Sequence, residues 1–136
     1  MVTDAVARRL VNKHAPKILK ELGISHWEIL IDLAEIEEGV LGYCSVKPKY
    51  DFAHIVLDPS SHDDEQHFID TLVHECLHIL HSPFDMVLDG IKRVLQELPE
   101  GQGSPALALF EELWSVSEEL TVKNLERAYR SLKKSP

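Results

Sequence analysis

Residues 71 to 82 read TLVHECLHILHS and place three histidines, a glutamate and a cysteine among aliphatic side chains. The aliphatic residues surround nearly every side of a helix drawn through this segment, so the pattern predicts a buried helix. Polar side chains inside such a helix need partners, because burying them without one costs free energy. The segment therefore indicates both the core of the fold and the place where its chemistry lies.

Within this segment, His74, Glu75 and His78 form an H-E-x-x-H pattern. Residues four apart lie on one face of a helix, so both imidazoles can reach a single zinc ion. Glu75 is rotated by about 100° from His74 and can lean over the metal without binding it. The pattern is typical of a zinc hydrolase, in which the glutamate takes a proton from a metal-bound water.

A catalytic zinc site usually has a third protein ligand, and two nearby histidines are poor candidates for it. His67 and His81 each lie seven residues from His74, which is about 10 Å along a helix axis. A straight helix cannot wrap all of these rings around one ion. We expect His81 to have a packing, supporting or substrate-side role instead.

A glutamate on the predicted long C-terminal helix is the other source of a third ligand. Projected at 100° per residue, Glu118 falls at the edge of the apolar stripe of this helix, while Glu112 and Glu119 project towards solvent. Glu111 shares the face of Glu118 one heptad earlier. We predict Glu118 as the ligand, with Glu119 the next choice and Glu111 still open.

The remaining patterns predict an α+β fold in a single domain spanning residues 1–136. Amphipathic spacing predicts a helix over 3–22 that Pro16 should kink or split. Alternating segments predict a small three-stranded antiparallel sheet, with the first two strands forming a hairpin. Further helices are expected over 64–81, over FDMVLDGIKRVLQELP and from Ser104 to about Lys133. The sheet should pack against the H-E-x-x-H helix and the long C-terminal helix.

Composition excludes several classes of function. The 136 residues carry a formal net charge of −9, which argues against nucleic acid as a partner. No apolar run is long enough to span a membrane, and no secretory signal is evident, so we expect a cytoplasmic protein. Cys44 and Cys76 are too few for a disulfide framework and are expected to be reduced and packed.

With these motifs, the chain resembles the gluzincin zinc metallopeptidases, and more closely their small phage- and prophage-type members, the minigluzincins. The resemblance rests on FAHIVLDPSSHDDEQHFIDTLVHECLHILHSPFD and on SEELTVKNLERAY. Together these blocks cover about half of the chain, in the order expected for the family.

The resemblance implies a zincin-like fold and a zinc-dependent peptidase that acts on a peptide or protein substrate. It implies that Glu75 is the general base and that zinc is bound by His74, His78 and Glu118. It also implies that residues 52–57 form an edge strand to which an extended substrate adds itself, through His54, Ile55 and Val56.

Two alternatives from other classes remain open. The first is a non-catalytic interaction protein in which zinc only joins two helices and stabilises the fold. It is favoured by the lack of an evident oxyanion-stabilising residue, for which Tyr43, Tyr50, His54 and Tyr129 are candidates by type only. The second is a metal-free helical adaptor in which His74 and His78 are incidental. The sequence does not indicate an oligomeric state.

Overall fold

The computed structural model describes residues 1–98 and 103–134. These residues are divided between two compact units, Met1–Leu80 and His81–Pro136, and each is considered by itself below. The expectation of a single domain stays a prediction. No helix in the described ranges contains an 18-residue stretch apolar enough to cross a membrane.

The first unit begins with helix α1, Asp4–Glu21. Thr3 caps its N-terminus, because the hydroxyl oxygen of Thr3 accepts a hydrogen bond from the Val6 backbone N–H at 3.3 Å. Gly23 follows the helix with a φ of +74°, a conformation that glycine adopts at little cost. The predicted helix is confirmed, and it continues through Pro16 as one helix rather than splitting there.

Three strands form a mixed sheet with the order β1-β3-β2. They are β1 (Glu28–Leu33), β2 (Gly42–Lys47) and β3 (Phe52–Leu57). β1 pairs with β3 in parallel, and β2 pairs with β3 in antiparallel fashion. The α+β class is confirmed. The expected all-antiparallel sheet and the expected hairpin between the first two strands are both wrong.

The position of β3 explains this difference. Its last three residues, Ile55, Val56 and Leu57, are buried on both faces of the sheet, as expected of a central strand. The turn at Glu38–Gly39 does reverse the chain, as the EEG signal predicted, but it does not decide which strand pairs with β2. Pairing is a non-local choice, and the most apolar strand takes the middle position.

Residues 52–57 are therefore not an edge strand, and this part of the prediction is wrong. The backbones of His54, Ile55 and Val56 already lie between β1 and β2. An extended substrate cannot add itself to β3, because both of its edges are paired within the sheet. The outer strands of this sheet are β1 and β2.

Asp58, directly after β3, organises the connection from the sheet to the next helix. Its buried carboxylate accepts hydrogen bonds from Ile36 N–H, from the N–H and hydroxyl of Ser60, and from the hydroxyl of Ser61. Burial alone would raise the pKa of Asp58, but these donors outweigh it and hold the pKa below its ordinary value. The carboxylate thus ties the β1–β2 connection to the end of β3.

His62 connects this corner to helix α2, Glu65–His81. The ring of His62 is 1% exposed; its Nδ1 lies 2.7 Å from the carbonyl oxygen of Asp58, and its Nε2 lies 2.8 Å from the hydroxyl of Thr71. Burial lowers the pKa of His62, and the neutral ring donates from Nδ1–H to the carbonyl oxygen of Asp58. Its Nε2 faces the Thr71 hydroxyl, which also donates to the carbonyl oxygen of His67 at 3.1 Å. The start of α2 is thereby fixed against the sheet.

We predict that His62 makes the protein less stable in acid. Its pKa lies below 6.5 in the folded chain and near 6.5 in the unfolded chain. The unfolded state therefore takes up the proton first, and stability is lost as the pH falls below 6.5, with a slope of at most about 1.4 kcal/mol per pH unit. Urea unfolding between pH 8 and pH 5, with a chelator present, measures this slope.

The matched variant His62→Gln keeps a polar side chain that does not titrate. We expect it to be less stable than the parent at pH 8 and to lose less stability between pH 6.5 and pH 5. Equal slopes in parent and variant would contradict the assignment of the acid sensitivity to His62.

The second unit contains two helices in contact, α3 (Pro83–Gln96) and α4 (Gly103–Lys134). Both helices were expected from the sequence. Lys92 on α3 and Glu111 on α4 form an ion pair at 3.3 Å. Several residues of the predicted apolar stripe of α4 are exposed, whereas Val122 is fully buried. They include Leu113, Leu120, Leu125 and Leu132.

Candidate metal centre

His74 and His78 are accessible residues in an otherwise buried part of helix α2. Among residues 71 to 79 of α2, every side chain is buried except these two, which are half-buried. Their ring centroids are 5.1 Å apart and the ring planes are nearly perpendicular. As predicted from the sequence, the spacing of four residues places the two imidazoles next to each other on one face of the helix. They are the accessible side chains in this part of α2.

Glu75 follows His74 in the chain and is 6% exposed. The next residue, Cys76, is fully buried, and burial together with the Glu75 carboxylate raises the pKa of its thiol to about 12. A thiol with that pKa stays protonated, whereas metal binding needs a thiolate. Between the two histidines, Glu75 can therefore contribute a carboxylate, whereas Cys76 does not provide a sulfur ligand.

Glu118, the glutamate favoured by the sequence, is engaged within the second unit. Its Oε1 lies 3.1 Å from Nδ1 of His81, and its carboxyl group also hydrogen-bonds Asp85. Burial and the nearby Asp85 carboxylate raise the pKa of Glu118, and His81 only partly offsets this effect. The same pairing gives His81 a definite partner that the sequence did not identify.

Glu119 is the next residue of α4 and is half-buried like Glu118. It belongs to the second unit, as Glu118 does. The helical projection had turned Glu119 towards solvent and is not supported by its burial. From the sequence Glu119 was the next choice for a third ligand, and Glu118 is engaged by His81 and Asp85.

One group of potential metal ligands lies entirely within the second unit. It consists of His81, Asp85 and Glu118, whose potential ligand atoms all lie within 4.8 Å of one another. Asp85 was not predicted as a ligand from the sequence. A signal was available, since Asp85 lies four residues after His81, but Pro83 between them obscured the helical relationship.

The other candidates have different surroundings. Nε2 of His54 lies 2.7 Å from a carboxylate oxygen of Asp32 on the neighbouring strand β1. His67 accepts a hydrogen bond from the backbone of Asp63, in keeping with its exclusion as a ligand. Glu111 forms the ion pair with Lys92 described above.

Comparisons with known proteins do not extend these findings. The chain matches no protein-family model, and no curated protein and no solved structure is significantly similar to it.

Proposed function

We propose that the chain is a zinc-dependent metallopeptidase of the small gluzincin type, with His74, His78 and Glu119 as the zinc ligands. The observation that carries the proposal is the exposure pattern of α2, where between residues 71 and 79 two half-buried imidazoles are the only side chains that are not buried, and the buried Glu75 follows the first of them. Two imidazole nitrogens and one carboxylate are a ligand set typical of catalytic zinc. Glu119 replaces Glu118 in this role because of the contacts that Glu118 makes with His81 and Asp85.

Each residue of the site has a distinct task. His74 and His78 bind the metal from one helix face, and Glu119 contributes the carboxylate. Zinc, when bound, lowers the pKa of a coordinated water and polarises the substrate carbonyl. Glu75 takes a proton from the attacking water and delivers it to the leaving amine. Because the neighbouring side chains of α2 are buried, a substrate has to approach these residues from the side on which the histidines are exposed.

The proposed substrate is an extended peptide or an exposed segment of a protein. Since β3 is paired on both sides, a substrate that binds by strand addition has to use β1 or β2. A nucleic acid is disfavoured by the net charge of −9.

Metal removal tests the proposal directly. Protein purified without an affinity tag is expected to contain zinc and to cleave members of a broad peptide library. Dialysis against a chelator should abolish cleavage, and stoichiometric zinc should restore it, because the ion is part of the reaction centre. Cleavage products identified by mass spectrometry and zinc measured by atomic emission give the two readouts.

The outcomes separate the proposal from its alternatives. Cleavage that persists in the chelated protein would exclude a zinc peptidase. Full zinc occupancy without any cleavage would favour an interaction protein in which the metal only stabilises the fold. Protein that retains no zinc at all and unfolds identically with and without added zinc would favour a metal-free helical adaptor.

A further inference from the structure

We propose that His81, Asp85 and Glu118 form a second site for a divalent transition-metal cation, separate from the His74, His78 and Glu119 group. The three side chains belong to the second unit, with Asp85 on α3 and Glu118 on α4. The proposal does not depend on the chain being a peptidase.

The geometry of the three side chains suits one ion. Their potential ligand atoms lie within 4.8 Å of one another, and Nδ1 of His81 is 3.1 Å from Oε1 of Glu118. One imidazole nitrogen and two carboxylates are ligands that zinc and neighbouring transition metals accept. Small adjustments of flexible side chains would bring all three atoms around a common centre.

Two of the three side chains carry carboxyl groups, which one cation can bind together. The potential ligand oxygens of Asp85 and Glu118 lie within 4.8 Å of each other. A divalent cation between them would neutralise both groups at once. His81 would bind the same ion through a ring nitrogen.

The surroundings also restrict water from these residues. The side chain of His81 is 12% exposed and that of Glu118 is 25% exposed. The ring of Phe84 lies 5.3 Å from the ring of His81, and that of Trp114 lies 6.2 Å from it, measured between centroids. An acidic residue in the first turn of a helix interacts favourably with the helix dipole, which explains a carboxylate at Asp85. The helix dipole does not explain why Glu118 lies next to that carboxylate.

Zinc titration of the full chain tests the second site. The parent protein is expected to bind one zinc ion more per chain than Asp85→Asn, in which the affinity of this site is reduced at least about 10-fold. Asp89→Asn changes an exposed carboxylate one turn further along α3. It is the matched control and should bind as many zinc ions as the parent. Equilibrium dialysis followed by atomic emission measures the stoichiometry.

Trp114 provides a local readout in a Trp27→Phe background, where it is the only tryptophan. Zinc should change its fluorescence in that chain, and adding Asp85→Asn should remove the change. His74→Asn with His78→Asn, checked for folding by circular dichroism, should lose one zinc ion and keep the fluorescence response. Equal zinc binding and equal fluorescence with and without Asp85→Asn would overturn the proposal and leave a hydrogen-bonded network only.

Discussion

Replacing Glu75 with glutamine is expected to lower the rate of peptide hydrolysis by about 10²- to 10⁴-fold while zinc remains bound. Glutamine has nearly the same shape as glutamate but cannot take up the proton of the attacking water. Glu75 is 6% exposed, so a side chain of equal volume should also preserve the packing of α2. Steady-state cleavage of a library-derived peptide and zinc content measured on the same preparation test both halves of the expectation.

Glu112→Gln is a suitable control, because Glu112 is exposed and belongs to no group of potential ligands in the described residues. It should match the parent in rate and in zinc content. If Glu75→Gln cleaves peptides as fast as the parent, Glu75 is not the general base. If the variant instead loses its zinc, its slow hydrolysis says nothing about proton transfer, and the rate must be compared again at saturating zinc.

The helices could be predicted from the sequence because their signals are local. Thr3 and Gly23 mark the two ends of α1, and the exposure of His74 and His78 follows directly from their spacing on α2. Such signals depend on residues within a few turns of one another. The H-E-x-x-H helix was therefore found at nearly its observed limits.

The sheet could not be predicted in the same way. The Glu38–Gly39 turn suggested that β1 and β2 are neighbours, yet β3 lies between them. The evidence for this order is the burial of Ile55, Val56 and Leu57, which a single sequence shows only as a short apolar run. Such a run is compatible with an edge or a central strand until the partners are known.

The choice between Glu118 and Glu119 shows a second limit of sequence reasoning. A helical projection assumes one buried stripe, but Leu113 and Leu120 on the predicted stripe are each 57% exposed, and both glutamates are half-buried. What distinguishes the two glutamates is the pairing of Glu118 with His81, a contact between residues 37 apart in the chain. No periodicity in the sequence reports that contact.

The two glutamates are expected to give opposite results when each is changed to glutamine. Glu119→Gln should lower the affinity of the catalytic zinc at least about 100-fold and abolish hydrolysis, because it removes a charged ligand. Glu118→Gln should retain the catalytic zinc and most of the activity, and should lose the ion proposed for His81, Asp85 and Glu118. Competition against a zinc chelator, run beside peptide cleavage, separates these effects.

The comparison is informative because the two changes have the same chemistry and adjacent positions on α4. General destabilisation of the helix should therefore affect both variants alike, and thermal unfolding of the metal-free proteins checks that it does. Loss of hydrolysis and of the tighter zinc ion in Glu118→Gln, with both retained in Glu119→Gln, would return the ligand role to Glu118. It would also mean that the contact of Glu118 with His81 is exchanged for the metal when zinc binds.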